Sequence, residues 1–132
     1  MTRGTPGRQR RRLPGLGELE AAIMEVVWAA DGALRVREVL DLLGATRQPA
    51  YTTVMTVMDN LFHKGWLQRE MDGRAYLYAA TRGRAEAAAD ALRDLLADSG
   101  DPGAALLHFA RGATEAEFEA MSRGLRERPP HP

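Results

Sequence analysis

The chain contains no cysteine, which excludes disulfides and thiolate metal sites. No apolar run approaches the length of a membrane span, and the first residues lack the apolar core of a secretory leader. A cytoplasmic location is therefore expected. There is no excess charge either: 18 Lys and Arg stand against 18 Asp and Glu in 132 residues. The usual marks of catalysis are missing. Ser99 and Ser122 have no flanking nucleophile motif. His63, His108 and His131 are scattered without metal-ligand spacing. The glycines of Pro14-Gly-Leu-Gly17 do not form a phosphate loop and read as a linker before the first helix. The carboxylates are spread over helix surfaces rather than paired. No enzyme, cofactor or metal is expected.

Zero net charge conceals a mild asymmetry. Residues 1–80 hold 11 Lys and Arg against 9 Asp and Glu, a balance of +2, and residues 81–132 hold 7 against 9, a balance of −2. Five of the cations are Arg3, Arg8, Arg10, Arg11 and Arg12, in a Gly- and Pro-containing segment without acids. Residues 1–14 read as a basic, disordered arm. Such an arm either gathers phosphate contacts or serves only as a solubilising tail.

The most informative stretch runs from Ala50 to about Lys64. Val54, Val57, Met58 and Leu61 recur at i, i+3, i+4 and i+7, the spacing of a buried helical stripe. Thr52, Thr53, Thr56, Asn60 and Lys64 fall on the other side, where short polar groups can approach phosphates and base edges in a groove. A merely solvated face would carry the same pattern, so context decides. Lys64-Gly65 ends the helix. Residues 66–71 read as a strand, Asp72-Gly73 as a hairpin turn and residues 74–79 as the returning strand. Arg69 and Arg74 flank that turn, where a wing would meet a DNA backbone. Tyr76 and Tyr78 alternate with their neighbours and are open to either role, core or phosphate donor.

Upstream, Leu16 to Trp28 carries Leu19, Ile23, Val26 and Val27 at helical spacing, and Val36 to Leu43 carries Val36, Val39, Leu40 and Leu43. Residues 33–35 between them offer a short third strand. The order over 15–80 is that of a winged helix-turn-helix. Downstream, three short amphipathic helices are expected: Arg84 to Asp98, Ala104 to Arg111, and one opening at Thr114 with the capping-box spacing Thr114–Glu117. Their apolar residues Leu92, Leu95, Leu96, Leu106, Phe109, Phe118, Met121 and Leu125 enclose little volume. Residues 81–127 therefore read as a helical dimerisation region and 128–132 as a tail. The fold class is mainly α with a small antiparallel sheet.

These pieces together resemble the penicillinase-repressor family of bacterial regulators (BlaI/MecI/CopY type). The resemblance rests on residues 16–28, Val36-Arg-Glu-Val39, residues 50–58 and Gly73-Arg-Ala-Tyr-Leu-Tyr78, and extends over roughly 13–127. It implies a dimeric repressor of β-lactam resistance or related operons that binds an inverted-repeat operator on double-stranded DNA and is released when a membrane sensor protease cuts it. It also implies DNA contacts at Thr52, Thr53, Thr56 and Asn60, although relatives commonly carry Arg at the position of Asn60. Asn suits adenine, whereas Arg favours guanine or phosphate. The family's cleavage at an Asn-Phe bond maps onto His108-Phe109, a match on the Phe side only. The copper-sensing branch is disfavoured because its C-terminal cysteine motif is absent. The alternatives are a winged-helix protein–protein module and a regulator switched by a small effector.

Overall fold

The computed structural model describes residues 12–44 and 49–130. They form α1 (Glu18–Ala29), α2 (Val36–Leu43), α3 (Tyr51–His63), β1 (Leu67–Asp72), β2 (Ala75–Ala80), α4 (Arg84–Ala97), α5 (Pro102–Arg111) and α6 (Glu115–Glu127). The chain divides into two compact units, Met1–Ala91 and Leu92–Pro132. The boundary falls inside α4 rather than before it. Of the arm expected over residues 1–14, residues 1–11 lie outside the described residues; Arg12 is exposed, and Leu13 is half-buried against the core, so the ordered unit begins inside the expected arm.

Four helices start by one device. A glutamate in the first turn reaches back to the amide that precedes the helix: Glu20 to Gly17 (2.8 Å), Glu38 to Arg35 (2.7 Å), Glu86 to Gly83 (2.9 Å) and Glu117 to Thr114 (2.9 Å). Each removes an orphan donor and sets a negative charge at the positive end of the helix dipole. At Thr114 the bond is reciprocal, with the Glu117 amide donating to Oγ1 at 3.1 Å. Helix α5 starts at Pro102, two residues before the position expected from sequence. Asp101 caps it by accepting from the Ala104 amide (3.1 Å), and proline suits the first helical position.

The first unit is a three-helix core closed by a hairpin. Ile23, Met24, Val39, Val54, Met58 and Leu61 are fully buried, and Leu67 and Tyr78 join them from the sheet. Of the expected α3 stripe, Val54, Met58 and Leu61 are buried and Val57 is half-buried. Their burial decides the state of α3. Five β-branched residues, Thr52, Thr53, Val54, Thr56 and Val57, cost the helix roughly 2–3 kcal/mol in propensity. Burying the three core side chains returns about 5–9 kcal/mol.

β1 and β2 pair antiparallel from Leu67↔Ala80 to Asp72↔Ala75. The two-residue turn is therefore Gly73-Arg74, one position later than the Asp72-Gly73 turn expected. Gly73 takes the positive φ, +69°, that primed hairpin turns require. The expected turn would set Leu67 directly opposite Tyr78, whereas in the observed pairing Arg69 stands there; Leu67 and Tyr78 share a face in both registers. The expected third strand is reduced to a single antiparallel bridge, Leu34↔Tyr78, with both backbone bonds at 2.8 Å.

The winged unit extends past the sheet. Thr81 closes the hairpin by donating from its amide to Trp66 O (3.0 Å) and from Oγ1 to Gly65 O (2.8 Å). The Trp28 indole donates to Arg82 O (3.0 Å), Arg84 pairs with Glu25, and Ala87 on α4 is buried. The second unit is of another kind. Neither α5 nor α6 contains a buried residue. Eight of the thirteen exposed large hydrophobics lie between Leu92 and Leu125, whereas every buried hydrophobic lies at or before Ala87.

Candidate nucleic-acid interface

Helix α3 is anchored at its C-terminal end, and one face looks outward. At its C-terminus, the Trp66 amide donates to Leu61 O (2.9 Å) and the Gly65 amide to Phe62 O (3.1 Å), with Gly65 at φ +87°. This is the paired-bond ending that stops a helix and redirects the chain; here it turns α3 straight into β1. Thr52, Thr53, Thr56 and Asn60 are all exposed. They lie on consecutive turns opposite Val54, Met58 and Leu61, forming a row of hydroxyls ending in an amide. Tyr51 and Met55 are exposed on the same helix. The Arg37 guanidinium of α2 stands 5.1 Å from the Tyr51 ring centroid. Sequence reasoning missed Arg37 and Tyr51 as members of this surface. The available signal was the outward phase of Arg37 between the buried Val36 and Val39.

Two of the expected contact residues are held in ion pairs within the unit: Lys64, which is exposed, and Arg69, which is largely buried. Lys64 is not a free cation at the end of the polar row. Its ammonium donates to Gly15 O (2.8 Å) and to both oxygens of Glu20 (2.9 and 3.0 Å), tying the end of α3 to the start of α1. Partial burial pushes the Glu20 carboxyl up, but the Gly17 amide and the Lys64 ammonium outweigh it and hold it below its ordinary value. Arg69 is likewise not at the wing tip. Its side chain is only 16% exposed, and Nη1 donates to Asp59 Oδ1 of α3 at 2.7 Å. The guanidinium lies 3.9 Å from the Phe62 ring centroid and 4.1 Å from that of Tyr76, with the Tyr78 hydroxyl at 3.4 Å. Asp59, and then Tyr78, hold the Arg69 proton more tightly than usual.

Arg74 sits in the wing turn and is exposed. Beside it Arg35 pairs with Asp72. The alternation that left the tyrosines open resolves into two environments: Tyr78 is buried, and Tyr76 is 37% exposed with its ring edge-on to Tyr78 at 6.0 Å. Five carboxylates of this unit are matched by cations: Glu20 by Lys64, Glu25 by Arg84, Asp59 by Arg69, Asp72 by Arg35 and Asp90 by Arg82.

In the second unit, Leu92, Leu95, Leu106, Phe109, Phe118, Met121 and Leu125 are exposed and Leu96 is half-buried. His108 and Phe109 lie in the last turns of α5, both exposed.

A helix-turn-helix whose second helix runs directly into a two-stranded wing defines the winged-helix fold. Within that class the chain belongs to the penicillinase repressor family, whose profile matches residues 16–127. It is 41% identical over 119 residues to the transcriptional regulator BlaI of Mycobacterium tuberculosis, an alignment covering 88% of this chain and 86% of that protein. Among solved structures, it is similar to the DNA-binding domain of the repressor BlaI (TM-score 0.49, 23% identity, 58% of this chain and 93% of that one). It is also similar to MepR, a transcription regulator of the Staphylococcus aureus multidrug efflux pump MepA (TM-score 0.47, 17% identity, 86% of this chain and 77% of that one). The chain is thus a transcriptional repressor of the BlaI type, not an enzyme. No described helix is long and apolar enough to cross a membrane.

Proposed function

We propose that the protein represses transcription as a homodimer that lays α3 of each protomer in the major groove at one half of an inverted repeat. The observation that carries this reading is the division of α3 into a fully buried stripe and an exposed row of Thr52, Thr53, Thr56 and Asn60. The threonines and Asn60 read base edges, and Arg74 meets the phosphate backbone from the wing. Arg37, stacked on Tyr51, is a second backbone cation at the opposite end of the helix. Two such helices spaced by one turn of DNA match a two-fold operator.

Dimerisation is assigned to the second unit, because Leu106, Phe118, Met121 and Leu125 have no core of their own to enter. Short isolated helices are marginal in water, so burial against a second copy supplies what the single chain lacks. Release follows the family logic. Cutting α5 at His108-Phe109 removes part of the dimer surface, and separate protomers lose the high effective concentration of the second half-site. His in place of Asn at the bond makes the protease's tolerance for His the deciding chemistry. The regulated genes are those of β-lactam resistance or the cell envelope, and the sensor is a membrane protease responding to cell-wall antibiotics.

The test is a mobility shift with duplexes selected by the protein from a random pool, run at two salt concentrations. Retained duplexes should carry an inverted repeat, and affinity should fall steeply with salt. Duplexes without dyad symmetry would refute the paired reading. During antibiotic induction, mass spectrometry should detect fragments ending at His108. Intact repressor under full induction would refute the proteolytic release.

A further inference from the structure

Arg69 is the one wing arginine whose charge is turned away from the solvent, its side chain being only 16% exposed. It stands on β1 directly opposite Tyr78, at the midpoint of the hairpin. Its guanidinium lies between two aromatic rings, Phe62 of α3 and Tyr76 of β2. In the same place it donates to Asp59, one turn before the end of α3. One planar cation therefore touches the recognition helix twice, at Asp59 and Phe62, and the far strand of the wing twice, at Tyr76 and Tyr78. Arg74, by contrast, rides on the two-residue turn beyond the last strand pair. The wing has only two strands and one bridge to the rest of the unit, and nothing else described ties Tyr76 to α3. The Arg35–Asp72 pair ties the tip of the hairpin to the start of α2, and Arg69 supplies the side-chain link from the hairpin to α3 itself.

We propose that Arg69 is a positioning residue that fixes the wing at one angle to the recognition helix, so that Arg74 and the α3 threonines engage a single stretch of duplex together. The inference rests on the DNA-binding reading above and deepens it. Arg69 adds affinity without touching DNA, because the bracket sets the wing before the duplex arrives and removes the ordering cost from the binding step. The role requires arginine. A guanidinium can lie flat against two rings while keeping an in-plane bond to a carboxylate, and a lysine ammonium cannot do both.

The experiment uses the full chain and a duplex selected from a random pool by the wild-type protein. The loss caused by Arg74→Ala is measured in three backgrounds: wild type, Arg69→Lys and Asp59→Asn. Arg69→Lys keeps the charge, and Asp59→Asn breaks the bracket from the other side while preserving size, so the two serve as independent routes if one variant folds poorly. In the wild-type background Arg74→Ala should weaken binding about three- to tenfold, the order of one phosphate contact. In both bracket variants the same substitution should cost about twofold or less, because a wing no longer linked to α3 has already lost most of that contact. Equal Arg74→Ala losses in all three backgrounds would overturn the inference, as would wild-type affinity in Arg69→Lys. A lowered melting temperature with the Arg74→Ala loss intact would also overturn it, since that is the mark of a stabilising role alone. A wild-type chain that retains no duplex overturns the DNA-binding reading itself and this inference with it. Wild-type binding with additive losses overturns only the bracket.

Discussion

Ending the chain after Thr81 or after Ala91 should give two proteins of very different stability, although both retain every helix and strand of the helix-turn-helix and its wing. The shorter one loses the acceptor of the Trp28 indole, the Arg84–Glu25 pair, the Arg82 guanidinium over the Trp66 ring (5.6 Å) and the buried Ala87. The indole bond contributes about 1 kcal/mol. The Ala87 methyl adds about 0.8 kcal/mol. The cation over Trp66 adds about 0.5–1 kcal/mol. The exposed ion pair adds about 0–1 kcal/mol. Together these losses come to about 2–4 kcal/mol, which for a domain of this size lowers the melting temperature by roughly 10–20 °C. Circular dichroism melts of the two truncated chains measure the difference directly. Melting temperatures within about 2 °C of each other would refute the assignment of the first turns of α4 to the winged unit. Sedimentation of the longer truncation should show a folded monomer, and a dimer at this length would move the interface out of residues 92–127.

Four further outcomes are expected. Thr56→Ala should weaken specific binding by about 1–3 kcal/mol, the usual cost of one base contact; a folded variant with unchanged operator affinity would remove Thr56 from the interface. Arg74→Ala should weaken all duplexes alike and lower the salt slope by about one, whereas a loss confined to one sequence would show that the wing reads bases. Glu20 is held below its ordinary carboxylate value, so its contribution is present above that value and disappears as pH falls through the lowered one. Glu20→Gln should therefore destabilise the fold at neutral pH and flatten its acid unfolding curve, and an unchanged curve would show that the Lys64 tether carries no stability. Leu125→Asp should dissociate the dimer in sedimentation while leaving the melting of the winged unit unchanged, and a persisting dimer would place α6 outside the interface.

Much of the winged unit is legible in the chain because its determinants are local. The 3.6-residue stripes of α1, α2 and α3 lead to the helices that form, and Val36–Leu43 matches its expected span residue for residue. The turn is off by one because Asp-Gly is a strong local signal, whereas the pairing is also shaped by distant contacts, the Leu34 bridge to Tyr78 and the Arg69 side chain opposite it. The two ion-paired cations were illegible for the same reason. Lys64 finds Glu20 across 44 residues and Arg69 finds Asp59 across 10, and periodicity carries no information about such pairings. A charged residue on a short strand reads as solvent-facing unless its aromatic neighbours in space are known. The glutamate caps of α1, α2 and α4 went unread because Gly17, Arg35 and Gly83 are not the Ser or Thr that marks a capping box.

The tether between Lys64 and Gly15 has a practical consequence for anyone handling this repressor. It fixes the backbone just upstream of α1 against the end of α3, a few residues from the first strand of the wing. A label attached at or beside Gly15 would sit against Lys64, one turn beyond Asn60 of the surface assigned to DNA. Bulky or acidic labels there would compete with the duplex and depress apparent affinity by crowding and charge, and polyhistidine would make binding depend on buffer pH and metal content. Affinity measurements are best made with the label removed, comparing proteins cut before and after the arginine-rich stretch.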